Sequence, residues 1–301
     1  MDAQVKSRVV QTAQNLPFEV VALVLQGGGA LGAYQAGVYE ALSEAGVEPN
    51  WIAGISIGAV NAAIIAGNPP DTRVDRLREF WTQVTADGPW SGAGNHCVGL
   101  ARGDAMRQFL NQMSANFAIA SGARGFFKAR PVPPLFQPAG TIEATSFYDT
   151  SELKRTLERL VDFDRINAAD ATRFSIGAVN VRSGNFVYFD NTTHEIRPEH
   201  VMASGALPPG LPAIEIEGEY YWDGGLVSNT PLQWVVETEP FRDTLAFQVD
   251  LWSARGEFPQ NIFDVMTREK EIRYSSRTRA STDQFKHIQK LRHTLACRAA
   301  R

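Results

Sequence analysis

Cysteine is nearly absent from this chain: Cys97 and Cys297 are the only two in 301 residues. Two are too few for a disulfide framework, and the count suits reduced thiols in an intracellular protein. Long hydrophobic runs are missing as well. No stretch of eighteen or more apolar residues occurs, so no segment reads as a membrane-spanning helix. Residues 1–19 are mixed polar without an apolar core segment, which argues against a secretory signal and for a cytoplasmic location. Net charge is only −4, which gives no reason to expect a nucleic-acid partner. The charge is unevenly placed, however. Residues 268–301 hold ten Lys/Arg against three Asp/Glu, so residues 1–267 carry −11 and a basic tail follows an acidic body.

Hydrophobic residues at 44% and charged residues at 21% give a composition that can build a substantial core. Residues 18–25 read as a short, β-branched, buried strand, broken by glycines at 27, 28, 29 and 32. A helix is expected over about 33–45, where Tyr34, Val38, Ala41 and Leu42 recur at helical spacing and Gly46 supplies a stop. A short strand at 51–55 and a small-residue helix at 57–66 follow. This strand–helix–strand–helix opening predicts an α/β fold with a parallel-rich central sheet flanked by helices.

Residues 86–146 differ in kind, with Pro131, Pro133, Pro134 and Pro138 crowded together. They read as a loop-rich, lid-like insertion with one helix near 103–113. Beyond it we expect a helix at 151–160 capped by Ser151, and a hairpin of strands at 174–181 and 185–190. Further strands at 219–222 and 244–250 and a polar helical tail from 261 complete the pattern. The domain division implied is a catalytic body over 18–252 and a basic helical extension over 253–301.

Two glycine-rich turns carry chemistry. Residues 26–32, Gln-Gly-Gly-Gly-Ala-Leu-Gly, satisfy a dinucleotide fingerprint at Gly27, Gly29 and Gly32. That reading needs an acidic residue at the end of the second strand, and Glu48 lies before the strand instead. The competing reading is an oxyanion hole, in which glycines turn backbone N–H groups toward developing negative charge. The second turn, Gly54-Ile55-Ser56-Ile57-Gly58, has the form of a nucleophile elbow: a serine on a sharp strand-to-helix turn flanked by residues without Cβ.

A serine needs a base. None of the five histidines (His96, His194, His200, His287, His293) sits in a motif, and only His287 and His293 follow Asp223, as a hydrolase triad would require. Asp223, between Tyr-Tyr-Trp and Gly224-Gly225, could accept a hydrogen bond from Ser56 directly, or could simply open a surface turn. A carboxylate would need a dry site to gain basicity.

Together these segments resemble the patatin-like phospholipases, lipid acyl hydrolases that use a Ser–Asp dyad. Residues 27–32 look like the family's oxyanion motif, 54–58 its elbow, and Asp223-Gly224-Gly225 with Asn229 and Pro231 its aspartate block. Ala203-Ser204 and Ala206-Leu207-Pro208 resemble the segment before it. The similarity runs from about residue 20 to 250. It implies a three-layer α/β/α fold and a lipid ester substrate. It also implies Ser56 as nucleophile, Asp223 as general base, and amides of Gly27, Gly28, Gly29 and Ile57 around the oxyanion, with no metal or other cofactor.

Two surfaces suggest membrane contact. Phe126 and Phe127, with Lys128, Leu135 and Phe136, could dip into lipid headgroups, cover the site, or pack back on the body. In the tail, Arg268, Lys270, Arg273, Arg277 and Arg279 could meet an anionic surface at about 1 kcal/mol each, form a solvated helix face, or pair with the acidic body. A histidine-triad esterase and a catalytically idle lipid- or partner-binding scaffold are the competing functions.

Overall fold

A computed structural model describes residues 16–86 and 121–299. The first strand, β1 (Val20–Leu25), is buried along its whole length. A 3-10 turn at Gly29–Gly32 leads into α1 (Ala33–Glu44), followed by β2 (Trp51–Gly54), α2 (Ile57–Ala66) and α3 (Arg73–Val84). Strands β3 (Gly122–Ala123), β4 (Phe127–Ala129) and β5 (Tyr148–Asp149) form a small antiparallel sheet that flanks the prolines, with 3-10 turns at Pro134–Phe136 and Ile142–Thr145 between β4 and β5. Then come α4 (Ser151–Leu160), α5 (Phe163–Asn167), the hairpin β6 (Arg173–Asn180) and β7 (Phe186–Asp190), and α6 (Pro198–Ser204). The chain closes with β8 (Ile214–Ile216), β9 (Glu219–Asp223), α7 (Leu232–Glu237), β10 (Thr244–Val249) and the long α8 (Ile262–Ala299).

The main sheet runs β10-β1-β2-β6-β9-β8, with β7 also on β6. Strands β10, β1, β2 and β6 are parallel neighbours, while β7 and β9 pair antiparallel with β6, and β8 antiparallel with β9. Five of the seven therefore run the same way, as right-handed crossovers predict. Period-two alternation divides β1 between two cores. Leu23 and Leu25 pack with α1 to α6 on one face, and Val20, Ala22 and Val24 with Leu232 and Val235 of α7 on the other. Helices on both faces make this a three-layer α/β/α fold.

Most strand and helix expectations hold within a residue or two, but several positions differ. Ser151 is the first residue of α4 rather than its cap, and its N–H is taken by the Asp149 carboxylate at 2.7 Å. The insertion contributes the short strands β3 and β4, paired with β5 just beyond it, where loop was expected; the helix expected near 103–113, with His96 and Cys97, lies outside the described residues. No described helix is long and apolar enough to cross a membrane.

The tail helix does not stand apart from the body. Ser275 and Thr278 are buried. The Thr278 hydroxyl accepts from Gln26 Nε2 at 2.8 Å and lies 2.8 Å from the Thr230 hydroxyl. Arg277 donates to the carbonyls of Leu226 and Val227. The first half of α8 thus crosses the end of the sheet where β1 and β10 finish.

Candidate active site

The elbow is built by steric necessity. Ser56 has φ 56° and ψ −124°, a conformation that costs a residue with a Cβ roughly 1–3 kcal/mol. A Cβ on Gly54 would lie 2.2 Å from the carbonyl oxygen of Gly58, and one on Gly58 would lie 2.3 Å from that of Leu25. Both clashes are with backbone, so neither glycine can be replaced without moving a strand. Behind the turn, every residue of α2 is buried. Its single polar side chain, Asn61, donates to the Gly32 carbonyl and the Gln35 amide oxygen, both at 2.9 Å. That pair of bonds ties the elbow helix to the glycine-rich turn.

Sheet register brings the serine to the aspartate. Strand β2 pairs with β6 up to Gly54↔Ile176, and β9 pairs with β6 from Ala178↔Asp223. Because β7 takes the other edge of β6 over 175–179, β2 and β9 meet end to end along a single edge, with Gly177 between them. Ser204, at the end of α6, pins this junction: its hydroxyl donates to the Gly177 carbonyl at 2.7 Å and accepts the Ser56 N–H at 3.0 Å. Ser56 Oγ then donates to Asp223 Oδ2 at 2.6 Å, and the Gly225 N–H donates to Asp223 Oδ1 at 2.7 Å. Burial pushes the Asp223 carboxyl up to about 6, against the opposing hydrogen bonds from Ser56 and Gly225.

Among the described residues no histidine hydrogen-bonds to Ser56 or Asp223. His200 is buried beside Phe189, with Nδ1 accepting the Arg197 N–H at 3.0 Å. Its pKa is lowered to about 4, chiefly by that burial. His194 sits against Thr193, and His293 against Cys297.

The amide N–H groups of Gly28, Gly29 and Ile57 have no acceptor among the described residues, and the positive ends of the 3-10 turn with α1 and of α2 point from there. Gly29 has φ +56°, which explains a glycine at that position. Gly27, expected as a fourth oxyanion donor, differs: its N–H is bound to the Asn229 carbonyl at 3.1 Å. Its own carbonyl accepts from Asn229 Nδ2 at 2.8 Å and Trp252 Nε1 at 2.7 Å. It needs no side chain because a Cβ there would come 2.3 Å from Asn229 Oδ1. Gly27 is therefore a wall of the site and not a free donor.

The glycines at 27–29, Ser56 and Asp223 line a cavity of about 220 Å³ with Leu207, Trp252, Lys270 and Tyr274. Sequence reasoning missed four of its supports. Gln26 is buried at the end of β1, and its side-chain oxygen accepts from the N–H groups of Leu251 and Trp252 while its amide reaches Thr278. A polar residue closing an apolar strand was the available signal. Trp252, Lys270 and Tyr274 carried none, because a fold contact brings them in from far along the chain.

The aromatic loop also resolves. Phe126 packs on the core against Phe80, and Phe127 against Tyr148, which is the packed-back arrangement among the three the sequence allowed. Leu135 and Phe136 remain 91% and 78% exposed. Of the tail cations, Arg268 pairs with Glu271 and Arg273 with Glu269.

A model of the patatin-like phospholipase family matches residues 23–235, which contain both glycine-rich turns, Ser56 and Asp223. No curated protein matches the chain. Among solved structures, VipD from Legionella pneumophila is similar at 19% identity and a TM-score of 0.41, over 76% of this chain and 49% of that one. This chain thus spans about half the length of that relative. With the family model covering more than two thirds of its residues, the chain belongs to the patatin-like phospholipases, a family of lipid acyl hydrolases.

Proposed function

We propose that this protein hydrolyses fatty-acyl ester bonds of lipids through a Ser56–Asp223 dyad. The observation that carries this reading is the 2.6 Å hydrogen bond from Ser56 Oγ to a buried carboxylate whose pKa stands near 6. Asp223 Oδ2 takes the hydroxyl proton as Oγ attacks the ester carbonyl. The resulting oxyanion is held by the amides of Gly28, Gly29 and Ile57, and loss of one such donor raises the barrier by about 3 kcal/mol. Collapse of the intermediate breaks the bond to the alcohol, which leaves with the proton from Asp223. Water then attacks the acyl-serine, giving its proton to the same carboxylate, and the fatty acid departs from a regenerated Ser56.

A fluorophosphonate probe tests this. The wild-type protein should label at Ser56, S56A should not, and the H287A/H293A double variant should keep both labelling and esterase turnover. Absence of labelling in folded wild-type protein refutes the proposal, and loss of activity in the double histidine variant would replace the dyad with a triad. The lipid is met at a surface, and the exposed Leu135 and Phe136, with the cation-bearing tail helix, are the contacts this reading assigns to it.

A further inference from the structure

The α8 wall of the same cavity carries a second pair of polar side chains. Lys270 and Tyr274 are four residues apart, so they project from one face of the helix, and both line the cavity that holds Ser56. Neither the Lys270 ammonium nor the Tyr274 hydroxyl has a hydrogen-bond or ion-pair partner among the described residues. Three neighbouring cations of α8 are already engaged: Arg268 by Glu271 and the Ala254 carbonyl, Arg273 by Glu269, and Arg277 by the Leu226 and Val227 carbonyls. Asp223, the one carboxylate among the described residues lining the cavity, is already engaged by Ser56 and Gly225.

The position of this pair is fixed relative to the oxyanion turn. Trp252 donates to the Gly27 carbonyl at 2.7 Å, and its ring lies against Tyr274 at a centroid distance of 5.1 Å. Thr278, one turn further, is buried on Gln26. An anion held by Lys270 and Tyr274 would therefore sit at a set distance from a carbonyl presented to Ser56.

We infer that Lys270 and Tyr274 form an anion subsite that receives the phosphodiester of a glycerophospholipid whose acyl ester lies at Ser56. The inference rests on the hydrolase reading above and adds the residues that would tell a phosphate-bearing lipid from a neutral glyceride at this cavity. A primary ammonium and a phenol supply two donors to phosphate oxygens, and a charge-assisted bond of this kind changes affinity by about tenfold or more.

The test measures kcat/KM of the full chain in neutral detergent micelles. Phosphatidylcholine and diacylglycerol with identical acyl chains are the two substrates, so the surface has no net charge. K270M should lower the phosphatidylcholine-to-diacylglycerol ratio about tenfold, mostly through KM, and Y274F by a smaller factor. K270R should restore most of the ratio. K290M removes the same charge from an exposed position outside the cavity and should leave the ratio unchanged. An unchanged ratio in K270M, or an equal fall in K290M, overturns the subsite. If inorganic phosphate inhibits diacylglycerol turnover in a Lys270-dependent way while the substrate ratio stays flat, the site is one for free anions and the lipid assignment fails. Failure of the hydrolase reading is distinct, because wild type would then cleave neither ester and Ser56 would not label.

Discussion

Replacing Asp223 with Asn separates the catalytic role proposed for this carboxylate from the cost of burying it. Asn is nearly isosteric: its side-chain oxygen can accept the Gly225 N–H, and its amide can donate to Ser56 Oγ, so both contacts of Asp223 have replacements. The charge has none. Burial carries the carboxyl from its ordinary 3.8 to about 6, which corresponds to about 3 kcal/mol at neutral pH. The sign follows from proton binding. The folded state holds the Asp223 proton more tightly than the unfolded chain, so this site is fully stabilising below the unfolded pKa. That stability is lost as the pH rises through the folded value. D223N should therefore raise the unfolding free energy by up to about 3 kcal/mol at roughly pH 8. The gain should shrink between about pH 6 and pH 4 and vanish below that. Urea unfolding across this range, followed by tryptophan fluorescence, measures it. The same variant should lose at least about a thousandfold in kcat, since the base is gone. Wild-type kcat/KM should fall on the acid side with a midpoint near 6. A D223N protein no more stable than wild type at pH 8, or a gain independent of pH, would refute the argument that burial raises this carboxyl.

Two further outcomes follow from the geometry. S204A removes both bonds that pin the elbow to Gly177 and should cost about 2 kcal/mol of stability, with kcat falling at least about tenfold and KM little changed; unaltered kcat by steady-state assay would contradict the pinning role. L135S/F136S should weaken sedimentation with anionic liposomes while leaving turnover of a soluble short-chain ester intact, and unchanged sedimentation would remove these residues from the surface contact.

The opening of the fold was legible because its residues are unambiguous at short range. Six consecutive apolar residues make β1 a buried strand whatever surrounds it, and glycines at 54 and 58 leave a strand-to-helix turn as the main option. The same cannot be said of α6 or α8. Seven residues ending in Ser204 have no helical period worth reading, and the mixed charges of α8 suited a solvated helix as well as a packed one. Phe126 and Phe127 looked equally suited to core and membrane; only packing against Phe80 and Tyr148 decided between them. Gly27 was indistinguishable from Gly28 and Gly29 until Asn229, two hundred residues away, took its N–H.

The sequence by itself determined the local machinery: which backbone can form an elbow, which amides can be turned outward, and which residue types can exchange a proton. These follow from Cβ sterics and intrinsic chemistry, and act over a few residues. Tertiary structure decided what those parts meet. The register of β2 and β9 on one edge of β6 sets Ser56 against Asp223. Burial there raises the Asp223 carboxyl from its ordinary value to about 6, and the crossing of α8 over the strand ends carries Lys270 and Tyr274 into the cavity. Each depends on chain segments remote in sequence meeting in a dry interior, and no local pattern encodes that meeting.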